Sequence, residues 1–179
     1  MDTQSLQQTK TVCARGQKRG LHFILASVII WAMVAAVHFT RLPIETKNLL
    51  TFCCTCPLMP LAWLLSKPLG ITFSDKQNPL SSLGIVLSVA QIPYLLIVMW
   101  VYAAMPEKMV MTLAMVFGAH LLPFGWLYDS KVYYAMTGLI TIGALVVGLM
   151  FPPQVLALCM MAVEIIFCLL LHLENKSIK

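Results

Sequence analysis

Only one residue carrying a full charge at neutral pH falls deep inside a long apolar run of this chain: Glu164, near the middle of the last run. An ionised carboxylate at the centre of a bilayer costs kcal/mol, so such a group faces a bundle interior, finds a partner or holds a proton. Gln91 and His120 lie in two other apolar runs, and at 1.5 Å rise per residue all three sit roughly 10 to 15 Å from the same surface. They are expected to form one polar layer, in which His120 can hydrogen-bond Glu164 or share a proton with it, since imidazole exchanges a proton near neutral pH. Two readings stand side by side, a buried network that fixes how helices associate and a relay for protons or ions. A third, an intramembrane enzyme acting on lipid with Glu164 and His120 as acid and base, lacks a metal triad or nucleophile. An enzyme is therefore the less expected class.

Two stripes of small and polar residues accompany the layer. Gly84, Ser88 and Gln91 recur at i, i+4, i+7, and Thr137, Thr141, Ala144 and Gly148 recur at similar spacing. Either stripe suits close helix approach with interhelical hydrogen bonds or the wall of a polar path, and packing is the expectation for the second. Cys53, Cys54 and Cys56, with Cys159 at a similar depth, raise a metal or disulfide site because thiolates bind soft metals. No histidine or carboxylate joins the first three in their run, and unpaired cysteine commonly behaves as a small hydrophobe. There is no Gly-rich phosphate loop, no His-Glu-x-x-His and no Gly-x-Ser-x-Gly. No cofactor is expected.

The elements that must position these residues follow from composition. The chain is 60% hydrophobic and 11% charged, against roughly 25% charged in soluble domains, which excludes a water-soluble fold. About 20 apolar residues span a bilayer, and six runs qualify: Leu21 to Phe39, Asn48 to Leu65, Gly84 to Ala104, Lys108 to Leu127, Val132 to Met150 and Gln154 to Leu173. The expected fold is an all-α, polytopic transmembrane bundle of six helices. Residues 1–20 would form a polar basic tail, 21–173 a single membrane domain and 174–179 a short second tail.

Charge orients the bundle. Lys10, Arg15, Lys18, Arg19, Lys67, Lys76, Lys131, Lys176 and Lys179 collect at one end, and only Arg41, Lys47 and Lys108 at the other. That bias places both termini in the cytoplasm and the protein in the cell membrane, in contact with the lipid bilayer rather than nucleic acid. A homo-oligomer or a membrane partner stays open. Pro57 and Pro60 interrupt the second run, which should be kinked or buried among its neighbours. Trp126, Tyr128, Tyr133 and Tyr134 bracket the turn Asp129-Ser130-Lys131 and read as an interfacial aromatic belt. His22 and His172 fall at the basic end and His38 at the opposite end, where interfacial solvation makes all three cheap. No inverted repeat is visible.

The stretch from Gly20 to Ser27 running into Ile29-Ile30-Trp31, and the segment His120-Leu121-Leu122-Pro123-Phe124-Gly125-Trp126-Leu127-Tyr128 followed by Ser130 and Tyr133, resemble a bacterial family of small integral membrane proteins classed as a domain of unknown function. The resemblance covers most of the chain and implies a membrane protein of bacterial source. It supplies no substrate, and it draws attention to His120. The functional expectation is a small transporter, channel-like or proton-responsive protein with Glu164, His120 and Gln91 on its path. The alternative is a non-catalytic membrane subunit or scaffold.

Overall fold

The structure, a computed structural model, describes residues 3–75 and 77–177. Among them there is no strand, and six helical stretches are long and apolar enough to cross a membrane: Lys18–His38, Ile44–Ser66, Pro79–Ala104, Pro106–Leu127, Lys131–Met150 and Pro153–Lys176. Each expected run corresponds to one of them. Lys76 and Lys179 of the charge tally lie outside the described residues.

Three spans are single helices: α2 (Leu21–His38), α9 (Lys131–Met150) and α10 (Pro153–Lys176). The other three are broken. The second comprises α3 (Ile44–Thr55) and α4 (Leu58–Ser66), the third α5 (Pro79–Val89) and α6 (Gln91–Ala104), and the fourth α7 (Met109–His120) and α8 (Leu122–Leu127). A proline stands within three residues of each break, Pro57, Pro93 or Pro123, and its missing N–H strips a hydrogen bond from the helix. The second span is thus kinked, as its prolines require, yet half-exposed rather than buried among neighbours. The third begins five residues before its apolar run, because Asn78 caps it, with Oδ1 accepting from Leu80 N at 3.0 Å, and Pro79 follows in the first turn.

Around the bundle the spans run second, first, sixth, fifth, fourth, third, with α2 packed along α10 and α7 along α9. The second and third spans scarcely touch each other. The α7–α9 contact is tight at Gly118, where an added Cβ would lie 2.6 Å from Thr141 Oγ1 and 2.9 Å from Thr141 N.

The first residues do not trail as a tail. They form α1 (Thr3–Gly16), which lies against the loops at the basic end. Gly16 O accepts from Thr72 N at 3.0 Å, Thr9 O accepts from Asn78 Nδ2 at 3.1 Å, and Lys10 sits 3.6 Å over the Trp126 ring. Burial pushes the Cys13 thiol up to about 11, with Asp75 adding to the shift, so Cys13 stays uncharged beneath this helix. The chain then turns into α2 through Lys18, Arg19 and Gly20, at φ of 45°, 51° and 71°. Left-handed backbone costs side-chain-bearing residues roughly 1–2 kcal/mol each, and tertiary bonds hold it here. Asn175 Nδ2 donates to Lys18 O at 2.9 Å and Tyr133 Oη to Arg19 O at 2.9 Å. Arg19 Nη1 donates to Glu174 O at 3.0 Å, and Arg19 Nε pairs with Glu174 Oε2 at 3.4 Å. Glu174 also accepts from Ser130 Oγ at 2.5 Å and Lys131 N at 3.2 Å, placing a carboxylate at the start of α9. The turn into α2 and the last turns of α10 therefore meet at the basic end of the bundle, and α10 runs on to Lys176, into the stretch read as a second tail.

Gly118→Ala should lower thermal stability by about 1–3 kcal/mol through overpacking against α9 backbone. Gly138→Ala, which would meet nothing within 4 Å, should leave the unfolding midpoint in detergent near that of the parent. Equal midpoints for the two variants would contradict the close approach.

Candidate functional site

The three breaks converge on two narrow cavities inside the bundle. The inner one, about 40 Å3 of space open to water, is bordered by Leu58 after the break in span two, Ser88 and Gln91 around that in span three, and His120 at that in span four. Its basic end is closed by Tyr128 and Tyr133. The outer one, also about 40 Å3, is bordered by Ser27, Thr55, Trp31 and again Gln91. Leu58, Gln91 and Phe117 line both, so the two adjoin. Apart from these few polar groups the walls are apolar.

Glu164 lies behind this file with no exposed surface. Its Oε2 is hydrogen-bonded to Ser27 Oγ, while Oε1 is buried without a partner. The Ser27 hydroxyl has one proton and also lies 2.8 Å from Ile24 O. It cannot donate a full hydrogen bond to both oxygens. The two contacts are satisfied together when Glu164 is a carboxylic acid donating to Ser27 Oγ while Ser27 donates to Ile24 O. That assignment also avoids an ionised carboxylate facing a single neutral partner in the membrane interior.

His120 does not bond Glu164. Its Nε2 lies 3.0 Å from Leu87 O, and Nδ1 is buried without a partner. A carbonyl only accepts, so Nε2 carries the hydrogen and Nδ1 is the atom left to gain or lose a proton. His120 also borders a lipid-side groove with Leu87, Tyr94 and Pro123, and so forms the wall between groove and inner cavity. The expected layer is thus a file rather than a cluster. Glu164 touches Ser27, Ser27 and Gln91 line the outer cavity, and Gln91 and His120 line the inner one.

Ser88 is on the cavity wall, its hydroxyl donating to Gly84 O at 2.9 Å. Thr137 and Thr141 are not on it. Their hydroxyls are buried without hydrogen bonds, and Thr141 packs on Gly118. The fifth-span stripe is a packing seam. Cys53, Cys54, Cys56 and Cys159 are free thiols, and among the described residues no group of three or more His, Cys, Asp or Glu could hold a metal ion.

Sequence reasoning missed Ser27, because a serine within an apolar run carries no signal of which helix faces it. It also placed Tyr128 and Tyr133 in an interfacial belt. Both are buried, with Tyr128 Oη donating to Gln17 Oε1 at 2.7 Å, whereas Trp126 and Tyr134 are exposed. His22 is buried beside Phe23 and Phe73, not solvated at an interface.

The profile of one protein family matches residues 6–174. The chain belongs to that family of unknown function, DUF7010. No curated protein and no solved structure matches it.

Ser27→Ala should cost about 1–3 kcal/mol by leaving the Glu164 carboxyl with no partner, whereas Glu164→Gln, which keeps a donor facing Ser27, should unfold near the parent's midpoint. Infrared spectroscopy should detect the carbonyl stretch of a protonated carboxyl that disappears in Glu164→Gln. An unchanged spectrum would contradict the protonated acid.

Proposed function

We propose that this member of DUF7010 moves protons or small ions across the cell membrane along the file of cavities, with His120 and Gln91 lining the path and Glu164 as an acid reached through Ser27. One observation carries the reading: three consecutive spans are interrupted beside the same cavity. Non-helical backbone at membrane depth is tolerated where protein or a water-filled cavity satisfies it, and transporters commonly bind their ions at such discontinuities. The cavities are narrow, which suits water and protons better than a metabolite. At His120, the Leu87 carbonyl fixes one nitrogen as donor and leaves the other to exchange a proton, the chemistry for which imidazole is suited. The end that carries α1 and the last turn of α10 holds most of the basic residues, so that end is the cytoplasmic one in this proposal. The small stripe of the fifth span is occupied by α7, which disfavours a scaffold that would dock a partner there.

Purified protein in liposomes loaded with a pH-sensitive dye should relax an imposed proton gradient faster than protein-free vesicles. His120→Ala and Gln91→Leu should each slow that flux by an order of magnitude or more while leaving the unfolding midpoint within the range of other cavity variants. The absence of proton, sodium or potassium flux from folded, reconstituted protein would overturn the proposal.

A further inference from the structure

A second cavity system lies away from the file, at the basic end. There a crevice of about 230 Å3 opens between the turn into α2 and the last turns of α10, lined by Arg15, Lys18, Leu21, His172, Asn175 and Lys176. Three of these six carry a full positive charge and none is acidic. The neighbouring carboxylate, Glu174, is engaged by Arg19, Ser130 and Lys131 N. The Lys18 ammonium is bonded at 2.5 Å to Leu69 O, a neutral acceptor, and forms no ion pair among the described residues. Asn175 is held in place, donating to Lys18 O and accepting from Arg19 Nη1 at 3.2 Å.

The crevice continues into lipid. Leu21 forms its apolar side, and four and eight residues further along α2 come Leu25 and Ile29, the latter 40% exposed. On α10, Leu169 and Ile165 lie one and two turns beyond His172, 60% and 43% exposed. Residues four apart share a helix face, so a cationic recess stands directly above an apolar track. A free anion needs only the recess; an amphipathic anion uses both.

We propose that this crevice is a binding site for the phosphate headgroup of an anionic phospholipid, with an acyl chain lying on the Leu25, Ile29, Ile165 and Leu169 track. Basic recesses between spans on the cytoplasmic side bind such headgroups. The bound lipid would bridge α10 to the turn that carries Lys18 and Arg19, and it does not depend on what the cavity file conducts.

The test is native mass spectrometry of the full chain released from mixed vesicles of phosphatidylglycerol and phosphatidylcholine. Phosphatidylglycerol should be retained over phosphatidylcholine, and Lys176→Gln, at an exposed side chain outside the Arg19, Glu174 and Asn175 contacts, should weaken retention about fivefold, the weight of one interfacial basic charge. Arg15→Gln with Lys176→Gln should weaken it further, while Arg41→Gln at the opposite end should not. Millimolar inorganic phosphate should fail to displace the lipid. Equal retention of the two lipids, retention unchanged in the folded Lys176→Gln variant, or displacement by inorganic phosphate would each overturn the assignment, the last by showing a site for a free anion.

Discussion

Hydrocarbon offers no hydrogen bonds, so every backbone N–H and C=O at membrane depth must find a partner inside the protein. The rest of this structure depends on that constraint. It makes six apolar runs helical regardless of residue propensity, and it makes any break in a helix expensive unless something polar lies beside it. Three spans here are broken near proline. Serine, threonine, glutamine and histidine gather at those breaks: Thr55, Ser88, Gln91 and His120 all border the cavities. His120 Nε2 donates to Leu87 O at 3.0 Å, so a side chain takes over donation where the third span is interrupted, while Thr55 Oγ1 adds a second donor at 2.8 Å to Phe52 O, which still accepts from Cys56 N at 3.3 Å.

The unbroken spans have a different part. First, fifth and sixth spans pack on one another through α2, α9 and α10, and the fourth joins them through the close contact at Gly118. This half is closely packed for a physical reason: small residues let backbones approach, and dispersion then acts over a long seam. Arg19, Glu174 and Ser130 tie its basic end, and the left-handed turn at Lys18 to Gly20 survives because its carbonyls are bonded by Asn175 and Tyr133. The broken half is the looser one, since its second and third spans have little contact.

Glu164 and His120 show how the same polar types can be placed for opposite ends. The acid is sealed on the closely packed side with one hydroxyl partner, and the imidazole sits on the broken side with one nitrogen bonded and one open. Between them stand Ser27, which lines the outer cavity, and Gln91, which lines both.

The sequence by itself determined the membrane class, the six spans, the end at which positive charge collects and the identity of the rare polar residues. Each rests on a local property, apolar run length or charge position, that the bilayer reads one segment at a time. The apolar run puts the third span's start at Gly84, and the helix begins instead at Pro79 behind the Asn78 cap, because the polar first turn carries no apolar signal. Tertiary structure alone decided that Glu164 pairs with Ser27 rather than His120, that Thr137 and Thr141 pack rather than line a path, that Tyr128 and Tyr133 are buried, and that the first residues form a helix docked on the loops. Equal depth places two residues in the same layer, but which helix faces which is set by packing around the bundle. That azimuth leaves no trace in hydropathy when every face of a span is apolar.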